Sequence, residues 1–240
     1  MVVGAILDDD GHPICCEMWP GNTADVKTLL PVVDRLRQRF GIGQFCIVAD
    51  RGMISAETIK TLESPECDIH YILGARMRRE KEVNEEVLNR AGRYEEIVDE
   101  GGRSKDPTPL KVKEVKVGDR RYIVCRNERQ ARRDASARQA MIDDLEQRLK
   151  TGPKSLVGNR GYRRYLKITK ESVTLDREKI EAEARFDGKW VLRTNMRLPT
   201  GQVALKYKEL WQVSRCSGTL NPCWTPARFF ISVTKLSKAM

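Results

Sequence analysis

The sequence predicts a mixed α/β core interrupted by a basic, β-rich insertion, and three observations lead to this fold class. Apolar β-prone runs and amphipathic helical runs follow one another over residues 1–75 in the order β-β-α-β-α-β. The run Phe45 to Ala49 is typical of a buried strand, and it ends in Asp50. Residues 76–185 contain short alternating runs between Gly and Pro turns, and they carry 29 Lys and Arg against 21 Asp and Glu.

The elements of the core follow in chain order. Met1 to Leu7 and Ile14 to Trp19 flank a turn and predict a β-hairpin. Helical spacing of apolar residues predicts one helix from about Ala24 to Phe40 and a second from Ser55, its N-cap, to about Leu62. His70 to Gly74 is the next predicted strand.

The later elements are less regular. Leu110 to Val117 and Arg121 to Val124 predict paired strands, and Asp134 to Lys150 predicts a charged helix. Trp190 to Arg193 is a predicted strand, and a last helix from Thr200 would place position 214 on its inward face. We therefore expect four segments, which are the first part of the core at 1–75, the insertion at 76–185, the return to the core at 186–215 and an aberrant tail at 216–240.

Asp50 is the first candidate functional residue. α/β proteins place their chemistry at the carboxyl ends of buried strands, and a carboxylate there can bind a cation or a proton. The alternative is that Asp50 only caps a turn, and for this short motif alone the two interpretations have about equal weight.

The charge favours an anionic partner. The net charge is +10 and the pI is about 9.3, which is typical of proteins that bind nucleic acid. One stretch combines tyrosines with cations and contains no acid, and its candidate DNA-binding residues are Lys154, Arg160, Arg163, Arg164 and Lys167. Such residues grip phosphates while tyrosines such as Tyr162 and Tyr165 stack on bases, but a solvated loop edge explains them equally well.

Other classes are disfavoured. The N-terminal apolar run, Val2 to Leu7, is too short for a signal peptide or a membrane span, so we expect a cytoplasmic protein without membrane contact. Seven scattered cysteines without a CxxC pair, and only two histidines, predict reduced thiols rather than a zinc site. Asp8 to Asp10 lie between a strand and a Gly-Pro turn, which favours a solvated turn over a metal site.

Several segments in order resemble one family, the DDE transposases of bacterial insertion sequences in the insertion-sequence-four superfamily. They span roughly residues 1–215 and read VVGAILDDDGHPI, WPGNTADVKTLLPVVDRL, VADRGMIS, YILGAR, FDGKWVLRTN and YKELWQV. The resemblance implies an RNase H-like core with a β-rich insertion before the last catalytic residue. It also implies three carboxylates that hold two divalent metals, usually Mg²⁺, for phosphoryl transfer on DNA.

The family pattern is incomplete here. Asp50 matches the second aspartate, whereas the first is expected on a strand before the hairpin, where this chain starts. Ser214 stands where the family has its glutamate, in a signature that starts at Tyr207, and Asn221 stands in place of the lysine. Residues 217–240, reread one base earlier through permitted codons, give a peptide similar to the family's next segment. We therefore expect an N-terminal truncation and a frameshift near Cys216.

The resemblance leaves three functional hypotheses. The leading one is a transposase fragment that binds Mg²⁺ weakly or not at all and does not cut DNA by itself. The second is a non-catalytic DNA-binding regulator, acting as a homodimer or on an intact transposase. The third is a nuclease of the same fold that takes its other ligands from a partner chain. Cleavage of insertion-sequence ends separates the first from the third, and salt-dependent DNA retention without cleavage favours the second.

Overall fold

A computed structural model describes the residues 2–7, 13–19, 31, 34–35, 38–39, 46–51, 56–65, 69–97, 109–151, 165–169, 173–208 and 229–232. The strands within them are β1 (Val2–Leu7), β2 (Pro13–Trp19), β3 (Cys46–Ala49), β4 (His70–Gly74), β5 (Glu95–Ile97), β6 (Leu110–Val117), β7 (Arg120–Arg126), β8 (Leu166–Ile168), β9 (Val173–Leu175), β10 (Lys189–Thr194) and β11 (Phe229–Ser232). The helices are α1 (Ala56–Leu62), α2 (Glu128–Thr151), α3 (Arg177–Ala184) and α4 (residues 200–208), with a π-helix at Val83–Val87 and helical residues at 31, 34, 35, 38 and 39.

Nine of these strands form one mixed sheet in the order β2-β1-β11-β3-β4-β10-β7-β6-β5. β1 and β2 pair antiparallel, as the predicted hairpin requires, while β3 and β4 pair parallel. β10 pairs antiparallel with β4, and β8 with β9 in a separate two-stranded sheet. The mixed sheet and its helices confirm the α/β, RNase H-like fold class.

The centre of the sheet is buried on both faces. Every residue of β3 is at most 2% exposed, and Tyr71 to Leu73 of β4 are at most 3% exposed. Successive strand residues point to opposite faces, so an unbroken apolar run needs a cover on each side. This burial explains why β3 and β4 are continuous apolar runs rather than alternating ones.

The chain divides into two compact units. The first comprises Met1–Gly101, Lys111–Cys125 and Trp190–Met240, and the second comprises Gly102–Leu110 and Arg126–Lys189. The insertion predicted at 76–185 differs from the second unit, because β5, β6 and β7 belong to the large sheet of the first unit. The buried, unbroken run at residues 122–125 suits a strand inside a sheet covered on both faces.

The second unit has its own small core. Leu145, Tyr165 and Leu166 are buried together, and apolar side chains from α2, β9 and α3 pack against them. Tyr165 is only 3% exposed, so it is a core residue and the predicted stacking on bases is wrong for this tyrosine. Helix α2 begins at Glu128, six residues before its predicted start at Asp134. The side chain of Asn127, just before the helix, accepts a hydrogen bond from the Gln130 amide at 2.8 Å.

The tail contributes to the fold. Phe229–Ser232 form β11, which lies between β1 and β3, parallel to β1 and antiparallel to β3. The predicted aberrant tail at 216–240 thus contains one strand of the large sheet. Phe229–Ser232 is a short β-prone run, which suits a strand. No helix among the described residues is long and apolar enough to cross a membrane.

Candidate active site

Asp50 lies directly after β3, the buried strand between β11 and β4. The position is the one that the sequence predicts, at the carboxyl end of a central strand. Its side chain is exposed, although the four residues before it are buried. Burial stops with the strand because Arg51 already begins a turn at the surface.

Two neutral donors hold the same oxygen of Asp50. The Arg51 amide donates to Asp50 Oδ1 at 2.7 Å, and the Tyr207 hydroxyl donates to the same atom at 3.0 Å. Tyr207 belongs to α4, so this hydrogen bond joins the strand end to the predicted last helix across 157 positions of sequence. Asp50 Oδ2 accepts no hydrogen bond from any described residue. The carboxylate is thus oriented while one oxygen stays available for a cation.

Gly74 makes this contact possible. It is the last residue of β4, and a Cβ built on it would lie 2.9 Å from the Arg51 amide and 2.5 Å from the Tyr207 hydroxyl. Real Cβ atoms do not approach other atoms so closely, so any larger residue would displace the tyrosine or the turn. The absence of a side chain at position 74 therefore gives Tyr207 its path to Asp50.

Tyr207 remains protonated as it donates. Burial, followed by the neighbouring Asp50 charge, raises the pKa of Tyr207 well above its usual range. A phenol that keeps its proton can donate a hydrogen bond to the carboxylate of Asp50. The sequence predicts the last helix and the family signature that starts at Tyr207, but not the pairing of Tyr207 with Asp50. The glycine at the end of the HYILG strand was the available signal for a close approach there.

The described residues do not by themselves form a two-metal site. Within them, no three His, Cys, Asp or Glu side chains come close enough together to hold a metal ion. Hard divalent cations take six or more oxygen ligands, and Asp50 supplies at most two. Ser214, the position expected to carry the family's glutamate, lies outside the described residues.

A second set of carboxylates in the same unit is arranged differently. We call it the Glu63–Glu82 network, and its members are Glu63, Tyr71, Glu82, Arg120, Tyr122 and Arg193. Glu63 accepts hydrogen bonds from Tyr71 at 3.0 Å and from Arg193, which is 7% exposed. Glu82 accepts from Arg120 at 2.6 Å and from Tyr122 at 2.8 Å. Both carboxylates are neutralised by guanidinium groups, so they are poorly suited to bind a cation.

Most of the predicted DNA-binding residues lie outside the described part of the chain. These are Lys154, Arg160, Arg163 and Arg164. Lys167 is described, and it is exposed in β8. Their contact with DNA stays a prediction.

The fold and the site define a class first: a mixed α/β protein with an oriented carboxylate at the end of a central strand. A family model, described as the transposase DDE domain, matches residues 1–213. The chain therefore belongs to the transposase DDE domain family, whose members act on DNA in transposition and generally use divalent metal ions. No curated protein and no solved structure gave a match.

Proposed function

We propose that this chain is a DDE transposase-type protein of an insertion sequence in which Asp50 is the second catalytic carboxylate. The hydrogen bond between Asp50 and Tyr207 carries the proposal. In the family signature the glutamate follows the tyrosine on the last helix, so this contact brings the last helix next to the strand that ends in the aspartate. This contact supports an active site between the end of β3 and the last helix.

We further propose that the chain does not cut DNA on its own. Two-metal phosphoryl transfer needs several carboxylates that converge on the metals. Ser214 offers a neutral hydroxyl where a charged ligand is expected, and Asp50 belongs to no group of three or more His, Cys, Asp or Glu side chains among the described residues. The chain's own contribution is then to orient Asp50 through Tyr207. The insertion-sequence-four assignment, the truncation and the frameshift near Cys216 stay predictions.

Mn²⁺ titration followed by electron paramagnetic resonance tests the role of Asp50. We expect weak binding, in the millimolar range, that is lost in Asp50→Asn. Asp119→Asn is the matched control, because Asp119 is also an exposed aspartate in a turn after a strand. Equal binding by Asp50→Asn and the unaltered chain would refute a metal-ligating role for Asp50.

A non-catalytic regulator of transposition is the second candidate function, and the charge distribution favours it. Residues 76–185 hold eight of the ten excess positive charges of the chain. Binding to duplex DNA should then weaken steeply from about 50 to 200 mM salt. The chain should also slow end cleavage by an intact family transposase when added in excess. Salt-independent retention, or no effect on the intact enzyme, would exclude this role.

A further inference from the structure

The second unit contains an open pocket of about 320 Å³ that none of the functional predictions used. Its lining residues are Arg126, Ala131, Arg132, Ala135, Ala184, Asp187 and Lys189. We propose that this pocket binds a phosphate group, and that the phosphate comes from the backbone of duplex DNA. The choice of DNA as the source rests on the proposed function; the phosphate chemistry rests on the pocket alone. We call it the phosphate pocket.

The charge of the lining is the first support. Arg126, Arg132 and Lys189 are cationic, and Asp187 is the one acidic residue among the seven that line the pocket. Asp187 forms an ion pair with Arg138, and both side chains are 16% exposed. Because Arg138 already neutralises Asp187, the residues that line the pocket carry a net positive charge, which favours an anion.

The hydrogen-bonding capacity of the two arginines is the second support. Arg126 Nε is buried and makes no hydrogen bond within the described structure, while one terminal nitrogen of Arg126 lies 3.3 Å from Glu128 Oε2. A buried donor without a partner costs free energy, so the guanidinium group of Arg126 is not fully satisfied by the described residues. Arg132 is exposed and makes no ion pair with a described residue. Guanidinium donors match phosphate oxygens in geometry and charge.

The pocket is also rigidly built, and Gly188 is the reason. Its φ of +63° is a conformation that residues with a side chain rarely adopt, and a Cβ there would lie 2.6 Å from the Ala131 amide. The Gly188 amide donates to Asp134 Oδ2 at 2.9 Å, and the Asn127 amide donates to the Gly188 carbonyl at 2.9 Å. These contacts fix the turn that bears Asp187 and Lys189 against the first turn of α2. The positive end of that helix dipole adds to the field in the pocket.

A comparison of two neighbouring arginines tests the proposal in the full chain. Arg132→Gln removes a lining cation, whereas Arg133→Gln removes the same charge from the next residue of α2, which is exposed and does not line the pocket. The affinity for a fluorescent 20-base-pair duplex is measured by anisotropy as a function of salt. The binding of inorganic phosphate is measured by equilibrium dialysis, and circular dichroism checks the fold of each variant.

We expect Arg132→Gln to lose about tenfold in DNA affinity, the size of one hydrogen bond to a charged group, and about one unit of salt slope. Arg133→Gln should lose much less, and Arg132→Lys should recover part of the loss. If Arg132→Gln no longer binds inorganic phosphate but binds DNA with the same affinity as Arg133→Gln, the pocket binds free phosphate. In that case the proposal that the phosphate comes from DNA is wrong. If the two variants match each other in both assays, the phosphate pocket is refuted.

These outcomes are separable from failure of the proposed function. The Asp50 site and the phosphate pocket use different residues, so separate variants test the two proposals. DNA binding that is lost equally in both arginine variants would refute the pocket and leave the transposase assignment intact. A chain that binds no DNA would count against the proposed function, while the dialysis arm would still decide whether the pocket binds phosphate.

Discussion

In the first unit, Glu63 and Glu82 have hydrogen-bond partners of a different kind from those of Asp50. Glu63 and Glu82 each bind a guanidinium group and a tyrosine hydroxyl. Asp50 binds two neutral donors through one oxygen, and its other oxygen accepts nothing from the described residues. A carboxylate neutralised by arginine holds the fold together, whereas one oriented by neutral donors keeps its charge for a cation. The kind of hydrogen-bond partner therefore distinguishes the structural acids from the candidate catalytic acid.

The largest effect should come from breaking the Glu63–Glu82 network at Arg193. Arg193→Ala leaves Glu63 without its buried partner, and the free energy of unfolding should fall by about 3 kcal/mol in urea titrations. Arg120→Ala is the control within the same network. Arg120 is 46% exposed, so its loss should cost less than about 1 kcal/mol. Equal losses in the two variants would mean that burial does not govern the network.

Gly74→Ala should have the next largest effect, because it disturbs the contact of Tyr207 with Asp50. The added methyl group displaces either Tyr207 or the Arg51 turn, which should reduce the free energy of unfolding by about 2 kcal/mol. Gly92→Ala is the control, since the nearest atom to a Cβ there is Lys113 Cδ at 3.6 Å, an ordinary contact. A neutral Gly74→Ala would contradict the close approach of Tyr207 to Asp50.

Because Tyr71 belongs to the Glu63–Glu82 network, the free energy of unfolding should also depend on pH in the alkaline range. Burial, followed by the nearby Glu63 charge, raises the pKa of Tyr71 from 10.0 to about 12. The unfolded chain releases this proton at lower pH than the folded chain does. Stability should therefore be full below about pH 10 and fall as the pH rises to about 12, and Tyr71→Phe should flatten the decline. A decline of the same steepness in Tyr71→Phe would assign it to other groups.

The smallest effect should come from Tyr207→Phe. The variant keeps the ring and removes only the hydrogen bond to the exposed Asp50, so the free energy of unfolding should fall by about 1 kcal/mol. Thermal melts of the two proteins give the difference. A loss as large as that of Arg193→Ala would show that Asp50 is held as firmly as the structural acids and would remove the distinction between the two sets.

Local patterns predicted the parts of the fold that lie close together in the chain. The β1–β2 hairpin, β4 at His70–Gly74 and the start of the last helix at residue 200 follow from apolar spacing, capping and turn residues. The position of Asp50 at the end of β3 was predictable for the same reason. Each of these features depends on a short window of sequence.

Features that depend on distant pairing could not be predicted in this way. β11 joins β1 and β3 from 180 or more positions away in the chain, and nothing in Phe229–Ser232 specifies those neighbours. The pairing of Glu63 with Arg193 spans 130 positions, and the phosphate pocket joins the first turn of α2 to a turn at Gly188. Strand pairing and ion pairing in three dimensions select these partners, and a single sequence does not record the choice.

The most direct test of the account is cleavage of a labelled insertion-sequence end by the purified chain in Mg²⁺ or Mn²⁺. We predict neither nicking nor joining, because Asp50 belongs to no group of three or more metal-ligating side chains among the described residues and Ser214 replaces the expected glutamate. Ser214→Glu alone should not restore activity. Metal-dependent cleavage by the unaltered chain that disappears in Asp50→Asn would contradict the account, since it would require other carboxylates to complete the site.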